Sequence, residues 1–256
     1  MYYYPSFDSL VNTRKYKITF VCIAWRATIQ CICLSNMCGR YNIIASAAEL
    51  AELFGLDIVD WPAPRYNVAP TQLAPIVRLG SESEKRSFEM LKWGMMPRWL
   101  KVPKPIINVR SETIMDKPTF RKSFEERRCL VPATGFYEWQ KLGSAKQPFH
   151  IYNRDAKLFA FAGIWDRFKN KNGEPFEAFA ILTTEPNEVA AAIHNRMPVI
   201  LDKAGCDLWL DSAIEDLQPL AELFKHIPAK QIVAEPVSTH VNSAANDDKR
   251  CIAPLA

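Results

Sequence analysis

The chain has 256 residues, of which 48% are hydrophobic and 23% charged, and its formal net charge is +4. This composition excludes intrinsically disordered and collagen-like chains and supplies enough apolar residues for one large domain or two small ones. Residues 1–36 hold four Lys or Arg against a single Asp, which accounts for +3 of the net charge. The charge of the remaining chain therefore does not select a partner.

The cysteines indicate the redox environment. There are seven, an odd number without the spacing of a disulfide framework: Cys22, Cys31, Cys33, Cys38, Cys129, Cys206 and Cys251. We expect a reducing, intracellular compartment. Because no Cys-x-x-Cys pair is present, a zinc site from Cys31, Cys33 and Cys38 is a disfavoured alternative, and we expect no metal.

The first 36 residues form a leader whose apolar run, 18–34, is interrupted by Arg26 and Gln30. The run is too short and too polar for a transmembrane helix, and it lacks the apolar centre and small-residue cleavage site of a secretory signal. Three explanations stay open: a start codon assigned too early, a propeptide that is removed, or an additional strand. We favour the first.

Met37 is a second candidate start, and Cys38 follows it. Removal of the initiator methionine would leave Cys38 with an α-amine and a thiol on adjacent carbons. The ordinary pKa values of these groups are about 7.7–8.0 and about 8.5, so a fraction of each is nucleophilic at neutral pH. An aldehyde would form an imine with the amine, and the thiol could then close a five-membered ring. An internal Met-Cys pair in a strand is the alternative.

Apolar alternation and turn signals predict short strands with a few short helices. Ser46 and Glu49 form a capping-box pattern, which predicts a helix that ends near Gly55. The proline-rich segment 61–75 predicts an extended loop. The other predicted helices cover 119–128, 187–194, 203–210 and 214–224. The predicted strands cover 74–79, 86–93, 129–140, 148–153, 158–168, 176–184, 199–201 and 231–237. Short strands joined by turns favour a mostly antiparallel sheet.

A basic and aromatic stretch covers residues 92–128, which hold ten Lys or Arg against four Asp or Glu, an excess of +6. Trp93 and Trp99 lie within it. Cations bind phosphates and rings stack on unpaired bases, so this combination favours single-stranded nucleic acid. Core packing of the tryptophans and a solvated helix face are the alternatives.

Glu138 is the candidate acid–base residue, because it stands between the aromatic residues Tyr137 and Trp139. Aromatic neighbours desolvate a carboxylate. We therefore expect a pKa raised toward neutrality, which is what general acid–base catalysis requires.

Six short motifs follow one another along the chain. They are Met37-Cys38-Gly39-Arg40-Tyr41, Asn67-Val68-Ala69-Pro70-Thr71, Trp93-Gly94, Asn108-Val109-Arg110-Ser111-Glu112-Thr113, Gly135-Phe136-Tyr137-Glu138-Trp139 and His194-Asn195-Arg196-Met197-Pro198. Together they resemble the SOS response-associated peptidase (SRAP) family over about residues 37–240, which leaves 241–256 as a C-terminal tail. Two features depart from the family: Val109 replaces a residue that is often small, and the leader would block the α-amine of Cys38.

The resemblance implies a single α+β domain with a curved, barrel-like, mostly antiparallel sheet. It implies a monomeric sensor of abasic sites in single-stranded DNA that forms a thiazolidine cross-link, possesses self-processing peptidase activity, and needs no cofactor and no membrane. In these roles Cys38 is the nucleophile, Glu138 the acid–base and His194 a proton-transfer group, while Asn108 positions the amino-terminal residue or the sugar. The residues expected to contact DNA are Arg40, Asn67, Pro70, Trp93, Trp99, Arg110, Arg196 and Met197.

Three other functions stay open on the sequence. Amino-terminal-nucleophile glutamine amidotransferases also begin with Cys-Gly, but they usually continue with apolar residues where this chain has Arg40 and Tyr41. A thiol peptidase could use Cys38, His194 and Glu138. A single-strand-binding module without catalysis is the third alternative.

Overall fold

The computed structural model describes residues 39–57, 59–61, 63–80, 85–97 and 104–255, which belong to one compact unit, Met37–Ala256. The leader, Cys38 and Trp99 lie outside the described residues.

Short strands predominate in the described residues. The strands are β1 (Arg40–Ile43), β2 (Arg65–Val68), β3 (Leu73–Leu79), β4 (Arg86–Trp93), β5 (Asn108–Arg110), β6 (Arg128–Ala133), β7 (Gly135–Leu142), β8 (Ala145–Asn153), β9 (Phe159–Lys169), β10 (Pro175–Thr184), β11 (Met197–Pro198), β12 (Ile200–Leu201) and β13 (Ile232–Pro236). The α-helices are α1 (Ala47–Phe54), α2 (Pro118–Glu126), α3 (Glu188–Ala191), α4 (Lys203–Leu210) and α5 (Gln218–Ala221). Single 3₁₀ turns cover Ser111–Thr113, Glu222–Phe224, Ala229–Gln231, Thr239–Asn242 and Lys249–Ile252.

Five of these strands close into a barrel in the order β10, β4, β3, β6, β9 and back to β10. The β4–β10 contact is parallel, and the other pairs of the ring are antiparallel. Beyond β4, the short strand β5 continues along the same edge of β10, also in parallel. The predicted α+β fold with a curved, barrel-like and mostly antiparallel sheet is thus confirmed.

A second sheet of five antiparallel strands, in the order β13, β8, β7, β1 and β2, lies against the barrel. Tyr41 of β1 contacts Trp93 and Phe161 of the barrel edge-on, with ring centroids 5.1 and 5.9 Å apart. Phe136 of β7 contacts Phe161 in the same way. Burial of these aromatic side chains joins the two sheets into one hydrophobic core.

Local signals placed the first helix correctly. The hydroxyl of Ser46 accepts a hydrogen bond from the Glu49 amide, and the Glu49 carboxylate accepts one from the Ser46 amide, as a capping box requires. Helix α1 ends at Gly55, whose φ of 65° is the left-handed conformation that glycine adopts without strain.

Four predicted elements were wrong in part. The helix expected over 187–194 is shortened to α3, Glu188–Ala191. The expected loop 61–75 contains β2, whose partner β1 is distant in sequence. The expected strand 129–140 is divided between the barrel and the second sheet at Gly135, where a Cβ would lie 2.3 Å from Nε2 of His150. The helix expected over 214–224 is shortened to α5 and a 3₁₀ turn. A proline in the first helical positions of α5 sets the start of the helix, because proline has no N–H to donate to a preceding turn.

The expected C-terminal tail is packed against the second sheet. Residues 238–255, which we call the C-terminal strap, follow β13. Val241 and Cys251 of the strap are buried against Tyr137 of β7, with Tyr66 and Trp139 beside them. The strap therefore covers the sheet face that carries these rings.

Candidate functional site

Glu138 and His194 form the centre of the candidate site. Glu138 lies on β7 and is 2% exposed. Nδ1 of His194 is 3.8 Å from Oε1 of Glu138, and the same Nδ1 lies 3.2 Å from the backbone N–H of Arg196, which donates to it. A ring nitrogen that accepts a hydrogen bond carries no proton, so the neutral imidazole holds its proton on Nε2. The site thus combines a buried carboxyl group with a histidine whose Nδ1 accepts a backbone N–H.

Two contacts hold the turn that carries His194. Asn187 begins α3 as its N-cap, where its side-chain oxygen accepts from the Ala190 amide at 3.0 Å. Gln140, two residues after Glu138 on β7, donates to the carbonyl oxygen of Ala192 at 2.8 Å. The distance between Glu138 and His194 is therefore set by a strand and a helix that are directly linked.

Asn108 and Arg110 lie on β5, which pairs with β10. Asn108 pairs with Ile181 of β10, and Arg110 pairs with Thr183. Because strand residues alternate between two faces, Asn108 and Arg110 share one side and Val109 takes the other, where it is 3% exposed. The larger residue at position 109 thus lies in the core, and Arg110 is exposed to solvent.

The Arg196 side chain is hydrogen-bonded to other residues of the protein. Its guanidinium forms a bidentate pair with Glu112, at 2.6 and 2.8 Å, and donates to the Thr183 carbonyl oxygen at 2.5 Å. Partial burial opposes ionisation of Glu112, but the bonds from Arg196 prevail, and the pKa of this carboxyl group lies below its usual value. The DNA contact expected for Arg196 is not supported, because Glu112 balances its charge.

Two of the residues expected to contact DNA, Trp93 and Met197, lie in the interior. Trp93 is 0% exposed, stacks on Phe179 and donates from its indole N–H to the Ile107 carbonyl oxygen at 3.0 Å. Met197 is also 0% exposed. A ring or thioether with no exposed surface offers no face to a base. Pro70, by contrast, is only partly buried.

Arg40 and Asn67 are also bound by the protein. Both donate to backbone carbonyl oxygens of the C-terminal strap, and Arg40 donates to the side-chain oxygen of Asn67. The strap contacts had no signal in the sequence, because their acceptors are main-chain atoms that every residue type supplies. The same holds for Thr183, whose carbonyl oxygen receives a bond from Arg196.

Comparison with known proteins identifies the family. The model of the family described as SOS response associated peptidase (SRAP) matches residues 37–244. The chain belongs to the SRAP family. This membership decides against the glutamine amidotransferase alternative and confirms the resemblance inferred from the motifs.

Across the described residues, no helix has the length and apolar character needed to cross a bilayer.

Relatives within the SRAP family cover most of the chain. The abasic site processing protein YoqW of Bacillus subtilis is 36% identical over 223 residues, which are 84% of this chain and 99% of YoqW. The abasic site processing protein HMCES of Gallus gallus is 33% identical over 225 residues, which are 75% of this chain and 66% of HMCES. A crystal structure of a protein from Bacteroides thetaiotaomicron superposes with a TM-score of 0.74 at 28% identity, covering 86% of this chain and 100% of that protein.

Proposed function

We propose that this protein recognises abasic sites in single-stranded DNA and binds them covalently through an amino-terminal Cys38. The observation that carries the proposal is the buried Glu138 carboxyl, whose Oε1 lies 3.8 Å from Nδ1 of His194. Arg40, two residues after Cys38, pairs with Tyr137, the residue before Glu138. Relatives that align over most of the chain are named abasic site processing proteins, which supports the same substrate.

The proposed chemistry requires only the aldehyde of an open abasic sugar. The α-amine of Cys38 adds to the aldehyde carbon, and the resulting carbinolamine loses one water molecule to become an imine. The Cys38 thiolate then attacks the imine carbon. A C–S bond forms, the C=N π-bond breaks, and the nitrogen takes up the proton that the thiol released. The product is a thiazolidine ring.

Glu138 and His194 supply the proton transfers in this proposal. The Glu138 carboxyl protonates the hydroxyl that leaves as water, and its carboxylate takes up the proton that the nitrogen loses as the imine forms. The Nε2–H of His194 donates to the sugar oxygen, because Nδ1 already accepts the Arg196 amide. Asn108 on β5 positions the sugar or the amino terminus. The expected rise in the pKa of Glu138 stays a prediction.

Replacing Glu138 with glutamine tests the proposal. Glutamine keeps the shape of the side chain but cannot exchange a proton. We expect cross-linking of abasic DNA, followed on denaturing gels, to become about 100-fold slower. Binding of intact single-stranded DNA should not change. The matched control is Glu188→Gln, which removes an exposed carboxylate at the start of α3 and should leave the rate unaltered. Equal rates in Glu138→Gln and the unmodified chain would contradict the proposed role.

The proposed DNA surface includes Arg110 and Pro70 among the described residues, with Trp99 as a further candidate. Arg110→Ala should lower the slope of log affinity against log salt by about 0.7, the value for one phosphate contact on a single strand. Arg196→Ala should leave that slope unchanged but lower the free energy of unfolding by about 1.5–3 kcal/mol, because Glu112 loses a charged hydrogen-bond partner.

Salt titrations with a fluorescent oligothymidine and urea unfolding of both variants check this pair of expectations. An equal loss of slope in the two variants would show that Arg196 reaches a phosphate despite its pairing with Glu112.

A further inference from the structure

The C-terminal strap binds the strand that begins two residues after Cys38. Arg40, the first residue of β1, donates from Nη1 to the carbonyl oxygen of Val241 at 2.7 Å. It donates from Nη2 to the carbonyl oxygen of Asn242 at 3.2 Å. Nη1 also contacts Oδ1 of Asn67 at 3.0 Å. The Arg40 guanidinium thus has three oxygen acceptors, and two of them belong to the strap.

Asn67 joins Arg40 to the strap. Its side chain is 0% exposed, and its amide nitrogen lies 3.2, 3.0 and 2.7 Å from the carbonyl oxygens of Val241, Ser243 and Asn246. Its amide oxygen accepts from Arg40. One buried carboxamide therefore binds the strap with its nitrogen and Arg40 with its oxygen.

Asp247 and Asn242 fasten the strap at two further points. The Asp247 carboxylate accepts from the backbone amides of Tyr66 and Asn67 on β2, at 2.5 and 2.8 Å. The side-chain oxygen of Asn242 accepts from the indole N–H of Trp139 at 2.8 Å. Trp139 directly follows Glu138, so the strap contacts the neighbours of both Cys38 and the acid–base residue.

We propose that the C-terminal strap is a positioning element for Cys38, which it holds in place through Asn67 and Arg40. This inference rests on the proposed function. In a chain that begins at Cys38, the reacting amine and thiol belong to the first residue, so only the residues that follow can fix their location. Gly39 has no side chain, and Arg40 is therefore the first residue after Cys38 with a side chain that can anchor the terminus.

The size of the effect follows from the geometry of bond formation. A displacement of about 1 Å between reacting groups can cost about 100-fold in rate. Arg40 and Asn67 are accordingly positioning residues in this proposal, and this role takes the place of the DNA contact expected for them.

The test compares chains that begin at Cys38 and carry Arg40→Met or Arg40→Lys. With abasic single-stranded DNA at saturation, Arg40→Met should lower the maximal cross-linking rate by about 10- to 100-fold. The half-saturating DNA concentration and the salt dependence of binding should not change. Arg40→Lys should recover part of the rate, because an ammonium group can still donate to the strap carbonyls.

Arg250→Ala is the matched control. It removes an exposed guanidinium from the strap that pairs with Asp248 and has no bond to Arg40 or Asn67. We expect its cross-linking rate to equal that of the unmodified chain. If Arg40→Met does not fold, Asp247→Ala takes its place, because it removes the oxygen that accepts from the Tyr66 and Asn67 amides, and its rate should decrease in the same direction.

An unchanged maximal rate in Arg40→Met would overturn the positioning role. Weaker DNA binding with a smaller salt slope would also overturn it, and would indicate that Arg40 contacts a DNA phosphate. Failure of the unmodified chain to cross-link would instead refute the proposed function.

In that case the order parameter of the Gly39 amide still decides the role of the strap. We expect about 0.85 in the unmodified chain and below about 0.6 in Arg40→Met, and equal values would overturn the inference.

Discussion

Cys38→Ala, in a chain that begins at residue 38, should abolish the heat-stable cross-link to abasic DNA. Ring closure requires the thiol, and alanine has no group that can attack the imine carbon. Cys38→Ser should still form an imine, which borohydride reduction would trap as a stable amine. Denaturing gels with and without borohydride separate these outcomes.

Among the described residues, the other cysteines are Cys129, Cys206 and Cys251, and burial raises the pKa of each thiol, which makes them poor replacements for Cys38 as the nucleophile. Burial raises the pKa of Cys206 to about 12, and it raises that of Cys129 as well. Cys206→Ala is therefore the control, and its cross-linking should match that of the unmodified chain. A heat-stable cross-link of undiminished yield in Cys38→Ala would rule out the thiazolidine.

A chain that retains residues 1–37 should form no cross-link at all. In such a chain the nitrogen of Cys38 belongs to a peptide bond, and an amide nitrogen is neither basic nor nucleophilic. The imine therefore cannot form at Cys38, even though the thiol remains. Intact-mass measurement paired with the cross-linking assay tests this expectation, with a chain beginning at Cys38 as the positive control.

The same experiment addresses self-processing. If the longer chain becomes active on standing, its mass should fall to that of a chain beginning at Cys38. This loss should be slower in Cys38→Ala if the site itself cleaves the preceding bond. Stable cross-linking by a chain whose mass shows that Met1 is still present would contradict the aminothiol mechanism and would require another nucleophile.

Sequence motifs identified the family and the chemical groups, but several roles depended on partners that the motifs do not reveal. Glu138 and His194 are recognisable as candidates, yet their 3.8 Å separation exists because β7 and α3 are linked through Gln140 and Ala192. The positive charge of Arg196 is visible in the sequence, whereas its neutralisation by Glu112 is not.

The same division applies to the fold. The sequence alone determined α1, because its capping box joins Ser46 to Glu49, three residues away. It also placed the longer strands, since the alternation of apolar residues reports which side chains face the core. Strand β2, the division of residues 128–142 between two sheets and the strap were decided by tertiary structure. Their stability comes from hydrogen bonds and buried contacts between residues far apart in the chain. The local conformational propensity of a segment does not indicate which distant residues it will contact.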